Sequence, residues 1–271
     1  MQIFNRRSVR VGILIFMAIA IALPAQAATF SKASLKGSYS FLTNLWTANG
    51  ATSQFAMVGV LTFDGAGNVA GSYTAMSGTT MTSGTLGGTY TVISNGTGTL
   101  TFTSGSSAQY AITLNSTTAK VAHGVQLLQI NDSNNEIISG TAVLQATTAA
   151  TYSVASLKGN FAFQYNPWTA DGSLGEDGGT GIFTFDGKGN LNVSITSVYD
   201  GQVFTNSSLT GIYSVNSDGS GSLSVGSKHT PQLAFALNTV TAGLAKGLQF
   251  VDTNTGDGPG DLVITGNALK Q

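Results

Sequence analysis

Apolar and polar residues alternate with a period of two along most of the chain. Tyr110, Ile112 and Leu114 are separated by the smaller Ala111 and Thr113, a pattern typical of β-strands with one buried face. Asp-Gly, Asn-Gly and Gly-Asn pairs, which favour hairpin turns, separate such segments. The first half contains eight predicted strands: Ser38–Leu42, Ala56–Phe63, Val69–Met76, Gly87–Ser94, Gly98–Phe102, Gln109–Leu114, Val121–Ile130 and Glu136–Leu144.

The second half of the chain repeats the first. Several blocks recur in the same order, first 122 and then 123 residues later; among them are Ala33–Phe41 with Ala155–Phe163, Trp46–Gly50 with Trp168–Gly172, Phe63–Asn68 with Phe185–Asn190, and Gly88–Val92 with Gly211–Val215. Because a duplication of this kind indicates two copies of one folding unit, we predict β domains at 28–148 and 149–271.

The strand count indicates an all-β fold with two tandem antiparallel barrel-like domains. Eight short strands in about 110 residues suit a small up-and-down barrel, with a closed sandwich as the alternative. Closure also removes exposed sheet edges, which would otherwise pair with other chains.

The first 27 residues have the features of a secretory signal peptide. Arg6, Arg7 and Arg10 precede an apolar run, Val11–Leu23, which is too short to span a bilayer as a helix. The small residues Ala25 and Ala27 then suit cleavage before Ala28. We therefore predict an exported bacterial protein, secreted or periplasmic, with no transmembrane anchor after cleavage.

Composition narrows the functional classes. The chain has no cysteine, which excludes disulfides, thiolate catalysis and cysteine-ligated metals. Beyond the three arginines of the leader, eight lysines face twelve acidic residues, a formal net charge of −4. Nucleic-acid binding needs a basic surface, so we expect no nucleic-acid partner, and no motif predicts a cofactor.

The motif order Leu-Lys-Gly-x-Tyr/Phe-x-Phe, Phe-Asp-Gly-x-Gly-Asn, Gly-x-Tyr-x-Val and Gly-x-Gly-x-Leu resembles uncharacterised secreted tandem-repeat proteins of acidobacteria and other environmental bacteria. This resemblance covers nearly all of the chain after the leader and implies an exported β-barrel-like domain without an assigned activity. The strand count and turns are more distantly similar to lipocalin-type and allene oxide cyclase or dirigent-type barrels.

Two kinds of acidic segment invite a calcium interpretation. The segments 64–68 and 186–190 each offer one carboxylate, too few for calcium, and a hairpin turn explains them. The loop with Asp252, Asn254, Asp257 and Asp261 alternates oxygen-bearing side chains with glycines. It is the candidate metal site, although a solvated hairpin loop is favoured because the closing bidentate Glu of an EF-hand is missing.

The sequence evidence for a catalytic site is weak. Asp171, Glu176 and Asp177 form an acidic cluster near Trp168, but acids on a glycine-rich loop are poorly preorganised. His123 and His229 are not equivalent in the two repeats, and no Gly-x-Ser-x-Gly elbow accompanies them. We predict that the chain is not an enzyme.

Trp46 and Trp168 recur at equivalent positions and are the candidate ligand-binding residues. They could line the mouth of a barrel cavity or plug the barrel end, and a plug is favoured because eight-stranded barrels are often filled by their own side chains. We expect a non-enzymatic module that binds a small apolar ligand or an envelope component. The alternatives are a structural or adhesive envelope protein and a barrel-cavity isomerase or cyclase.

Overall fold

In a computed structural model, two closed antiparallel barrels of eight strands each account for nearly all of the described chain. The structure describes residues 29–47, 55–118, 120–131, 136–148, 150–168, 177–199, 201–226, 232–253 and 263–271. The predicted signal peptide, residues 1–27, lies outside the described residues. No helix in these ranges is both long and apolar enough to cross a membrane.

Each barrel is a simple meander in which every strand pairs with the next one along the chain. The first barrel consists of β1 (Lys36–Thr47), β2 (Phe55–Asp64), β3 (Asn68–Ser77), β4 (Thr80–Val92), β5 (Thr97–Ser104), β6 (Gln109–Thr118), β7 (Val121–Gln129) and β8 (Glu136–Ala146). The second consists of β9 (Lys158–Trp168), β10 (Asp177–Asp186), β11 (Asn190–Tyr199), β12 (Gln202–Val215), β13 (Ser220–Val225), β14 (Gln232–Thr241), β15 (Leu244–Asp252) and β16 (Val263–Lys270).

Closure comes from the pairing of the first strand of each barrel with its last. Phe41 of β1 pairs with Ala142 of β8, and Phe163 of β9 pairs with Ala268 of β16. The all-β class is therefore confirmed, and the barrel rather than the sandwich is the architecture. Alternate residues point inward, as the period of two predicts.

A short 3-10 turn precedes the first strand of each barrel, and the leucine that follows it packs in the barrel core. The turns Lys32–Ser34 and Val154–Ser156 each precede a fully buried leucine, Leu35 and Leu157. A tyrosine on β4 or β12 secures each turn, since its hydroxyl lies within hydrogen-bond distance of two carbonyl oxygens, one from the first residue of the turn and one from the leucine that follows it. The distances are 2.8 Å from Tyr90 to Leu35 and 2.9 Å from Tyr213 to Leu157.

The two barrels share a third apolar cluster besides their own cores. Leu42, Ala56, Val58, Val60 and Met76, on the outer face of β1–β3, pack against the outer faces of β14, β15 and β16. The residues that meet them are Ala234, Ala236, Val251 and Val263. We call this contact the seam. It explains why β2 is apolar on both faces, since one face lines the first barrel and the other is covered by the second.

Candidate functional site

The described interior of the first barrel is filled by aromatic and aliphatic side chains. Phe63 lies between Tyr39 and Tyr90 in edge-to-face contacts, with ring centroids 5.5 Å and 5.1 Å apart. The Tyr39 hydroxyl donates to the carbonyl oxygen of Ala122 at 2.7 Å. Burial raises the pKa of Tyr110 to about 12, as expected for a phenol removed from water.

The second barrel is packed in the same way with phenylalanines. Phe163 and Phe183 stack with centroids 4.0 Å apart, and Phe250 meets Phe183 edge-on at 6.1 Å. Phe161 takes the place of Tyr39 and packs against Phe185. Offset and edge-to-face pairs of this kind are the favoured geometries of aromatic cores, so the described interiors are hydrophobic cores.

The turn interpretation of the two Asp-Gly segments is confirmed. One carboxylate oxygen of Asp64 accepts from the backbone N–H groups of Ala66, Gly67 and Asn68 at 2.7–3.0 Å, and the other accepts from the Asn68 side chain at 2.6 Å. These hydrogen bonds, led by the Asn68 backbone, hold the pKa of Asp64 well below its usual range.

Asp186 repeats the arrangement. Its carboxylate accepts from the backbone of Lys188 and Asn190 and from the Asn190 side chain. The hydrogen bond from that side chain is the main cause that lowers the pKa of Asp186. Both carboxylates therefore stabilise their own turn, as the hairpin interpretation predicts.

Most of the other predicted site residues lie outside the described part of the chain. They include Asn254, Asp257 and Asp261 of the candidate metal loop, the acids Asp171 and Glu176, and His229. Asp252, at the end of β15, is partly exposed, and the side chain of Asp177 is not described. His123 is exposed on β7. No group of three or more His, Asp or Glu residues suited to a metal occurs within the described ranges, and the calcium hypothesis for the 252–261 loop stays a prediction.

The two tryptophans have described backbones at the ends of β1 and β9. Trp46 pairs with Ile137 and Trp168 pairs with Val263. Their side chains lie outside the described part of the chain, so their assignment to ligand binding stays a prediction.

An open depression of about 690 Å³ lies over β10–β13 of the second barrel. The polar residues that line it include Thr184, Asn192, Thr210 and Ser224, and Ile212 contributes an apolar surface that is 65% exposed. Asn192 is paired with Thr210, and Ile212 with Ser224, across neighbouring strands. Cross-strand pairs share one face of the sheet, so these side chains converge on one side of the barrel wall.

The lining of the depression differs from the equivalent wall of the first barrel. Where the second barrel has Asn192, Thr210 and Ile212, the first has Ala70, Gly87 and Thr89. Both barrels close with the same topology, so the fold itself does not require these three side chains. Sequence reasoning missed this site. The available signal was the difference between the repeats at Asn192, Thr210 and Ile212, although only strand pairing shows that these residues share one face.

Comparisons with known proteins give no family assignment. No protein-family model and no curated protein matches the chain. Among solved structures, a DUF3598-family protein of unknown function from Nostoc punctiforme is 13% identical at a TM-score of 0.27, with 89% of this chain and 98% of that chain covered.

Transferrin binding protein B from serogroup B Neisseria meningitidis is 8% identical at a TM-score of 0.25, over 88% of this chain and 77% of that chain. A porin-like protein from Bacteroides uniformis is 9% identical at a TM-score of 0.20, over 91% of this chain and all of that chain. Likeness at this level assigns no function, and the resemblance to acidobacterial repeat proteins stays a prediction.

Proposed function

We propose that the chain is an exported, non-enzymatic module that binds a hydroxyl-rich component of the cell envelope, such as a polysaccharide, in the depression of the second barrel. The observation that carries this proposal is the set of outward side chains found only in that barrel: Asn192, Thr210 and Ile212. Binding sites are typically concave, with an apolar surface and a few polar groups that orient the ligand.

The chemistry of the lining favours a neutral ligand. Hydroxyl and amide groups such as those of Thr210 and Asn192 both donate and accept hydrogen bonds, as do the hydroxyls of a sugar. The carboxylate of Asp186 at the rim is already engaged by Asn190. The second half of the chain carries five lysines and nine acidic residues, and this negative charge opposes an anionic ligand. Ile212 offers an apolar surface to the C–H face of a sugar ring.

The packed barrel interiors favour binding in this outer depression over binding of a small apolar ligand inside a barrel. Phe41, Phe183 and Phe250 are each at most 2% exposed, and each core is packed by side chains of its own barrel. A ligand inside would have to displace those side chains, which costs the packing that they provide.

Binding is tested with the chain beginning at Ala28, applied to insoluble envelope polysaccharides and to a glycan array. Asn192→Ala and Ile212→Thr introduce the residues of the first barrel, and we expect each to weaken binding about tenfold, the loss of about 1.4 kcal/mol. Thr89→Ala, at the first-barrel position equivalent to Ile212, is the matched control and should bind like the wild type. An absence of polysaccharide binding, or binding that both variants leave unchanged, contradicts the proposal.

Export is tested separately by expressing the full chain in a bacterial host and sequencing the N-terminus of the protein in each cell fraction. A periplasmic or secreted product that begins at Ala28 is the expected result. A product confined to the cytoplasm with residues 1–27 intact would refute export and leave the binding test unaffected.

A further inference from the structure

The outer face of β6–β8 on the first barrel carries an exposed apolar patch. Leu128, Ile130 and Ile137 are 45%, 51% and 51% exposed. Leu128 pairs with Ala111 on β6, and the backbone N–H of Ile130 donates to the carbonyl oxygen of Gln109 at 2.8 Å, which continues the ladder. We call the surface formed by Ala111, Leu128, Ile130 and Ile137 the apolar face.

The same positions in the second barrel are buried in the seam. Ala111 and Leu128 correspond, 123 residues on, to Ala234 and Val251. Ile137 corresponds to Val263, since Ile137 pairs with Trp46 as Val263 pairs with the equivalent Trp168. All three second-barrel residues belong to the shared cluster and are at most 7% exposed. The register supports this equivalence, since Ala111 pairs with Leu128 as Ala234 pairs with Val251. The apolar face therefore has the composition of a surface that this fold buries against another barrel.

A polar group of the seam has its counterpart there as well. Gln249 is 5% exposed and bridges to the first barrel through hydrogen bonds with Ser40 and Thr141. Its repeat equivalent, Gln126, is exposed beside Leu128. The first barrel thus retains both the apolar and the hydrogen-bonding parts of the surface that forms the seam.

Head-to-tail addition of a second chain would place the β9–β11 face of its second barrel on this surface, but that face is not complementary. Leu42 and Val58 form part of the seam on the first barrel. The equivalent residues of the second barrel are Gln164 and Thr180, and both are exposed. Ser40, the hydrogen-bond partner of Gln249, is replaced by Ala162. Polar replacements on a potential interface disfavour that pairing, and the open filament that it would produce is disfavoured with it.

We propose that two copies of the chain associate through their apolar faces around a two-fold axis. An isologous contact buries Leu128, Ile130 and Ile137 of both copies at once, and two-fold dimers are the commonest closed assemblies. The charge distribution is compatible with this arrangement. The first barrel domain has three lysines and three acidic residues, whereas the second has a net charge of −4, so two first barrels can meet without net charge repulsion between them.

The small patch predicts weak association. Stable interfaces bury about 800 Å² per partner, and three half-exposed aliphatic side chains supply only part of that area. Sedimentation velocity from about 1 μM to about 1 mM covers the range in which weak dimers dissociate. We expect a concentration-dependent shift from monomer to dimer that stops at two copies.

Leu128→Lys and Ile137→Lys place a charge on the apolar face and should each raise the dissociation constant at least tenfold. Val203→Lys, at a 68% exposed position on β12 of the second barrel, is the matched control and should dimerise like the wild type. Because all three positions are exposed, circular dichroism should show the same fold in each variant.

The chain has no cysteine, so a single nitroxide label reports the geometry directly. A label at Thr113→Cys, at the rim of the apolar face, should give one short distance between the two copies in electron paramagnetic resonance. A label at Thr184→Cys, on the outer wall of the second barrel, should give a longer one. A monomer at every concentration, growth beyond two copies, or a dimer that both lysine variants leave intact would overturn the proposal. None of these readouts depends on polysaccharide binding.

Discussion

Gln249 of the second barrel accepts a hydrogen bond from the hydroxyl of Ser40 in the first barrel, with 3.1 Å between the two oxygens. The amide nitrogen of Gln249 donates to Thr141 of the first barrel at 3.0 Å. Ser40 is fully buried and lies in the seam with Val58 and Val60 beside it on the paired strand β2. A buried amide with both ends satisfied fixes the register of the two barrels, because any displacement leaves its polar atoms without partners.

The seam should make the two barrels unfold together. Val58→Asp places a charge at a position that is 1% exposed, and an unpaired buried charge is strongly destabilising. We expect calorimetry to show one transition for the wild type and two for the variant, since the second barrel no longer depends on the first.

Thr180→Asp is the control for this experiment, because Thr180 is the exposed repeat equivalent of Val58. It should unfold in a single transition close to that of the wild type. Two transitions already present in the wild type would show that the seam does not couple the barrels.

The tyrosines that secure the 3-10 turns should contribute measurably to stability. Tyr213→Phe removes the donor to the carbonyl oxygens of Val154 and Leu157. Leaving buried acceptors unpaired costs about 1–3 kcal/mol, which a urea unfolding curve resolves. Tyr110→Phe is the matched control, because no hydrogen bond joins its hydroxyl to the described part of the chain. It should change stability by less than about 0.5 kcal/mol.

The repeat and the period of two were enough to predict eight strands and to favour a barrel, because large inward residues such as Tyr110 and Ile112 alternate with smaller or polar ones. The seam was not predicted, although β2 carries the relevant signal. Its run from Phe55 to Leu61 is apolar at every non-glycine position, whereas Thr180 interrupts the equivalent run in β10. A strand that is apolar on both faces needs a second partner, and only the folded arrangement shows that the other barrel supplies it.

The outer depression and the apolar face escaped sequence reasoning for a different reason. Motif comparison selects the positions that the two repeats share, and these are the ones that the fold requires, such as Asp64 or Tyr90. Asn192 and Ile212 differ from their counterparts, and which way they face depends on strand pairing. Register alone decides the face on which a residue lies, so the depression became visible only with the pairing of β11, β12 and β13.

Substitution of Gly59 by a larger residue should destabilise the protein. A Cβ at this position would overlap the carbonyl oxygen of Ser72 and approach the Phe41 ring to 2.7 Å. Overpacking of this kind costs about 1–3 kcal/mol or more, so Gly59→Ala should lower the urea midpoint clearly. Gly178→Ala is the control, since the contact nearest to its Cβ is 3.9 Å away. Equal stability of the two variants would show that the first barrel adjusts around the added methyl group.

Acid should destabilise the protein partly through its two Asp-Gly turns. Hydrogen bonds hold the pKa of Asp64 and of Asp186 below the usual value of the unfolded chain, about 3.9. Groups with a lowered folded-state pKa stabilise the fold above the unfolded pKa, and that stabilisation is lost as the pH falls through the folded-state pKa. The urea midpoint of the wild type should therefore decline below about pH 4.

The double variant Asp64→Asn, Asp186→Asn should start from a lower midpoint at pH 7 and show a shallower decline, because its turns no longer titrate. An acid decline equally steep in both proteins would assign the pH dependence to other carboxylates.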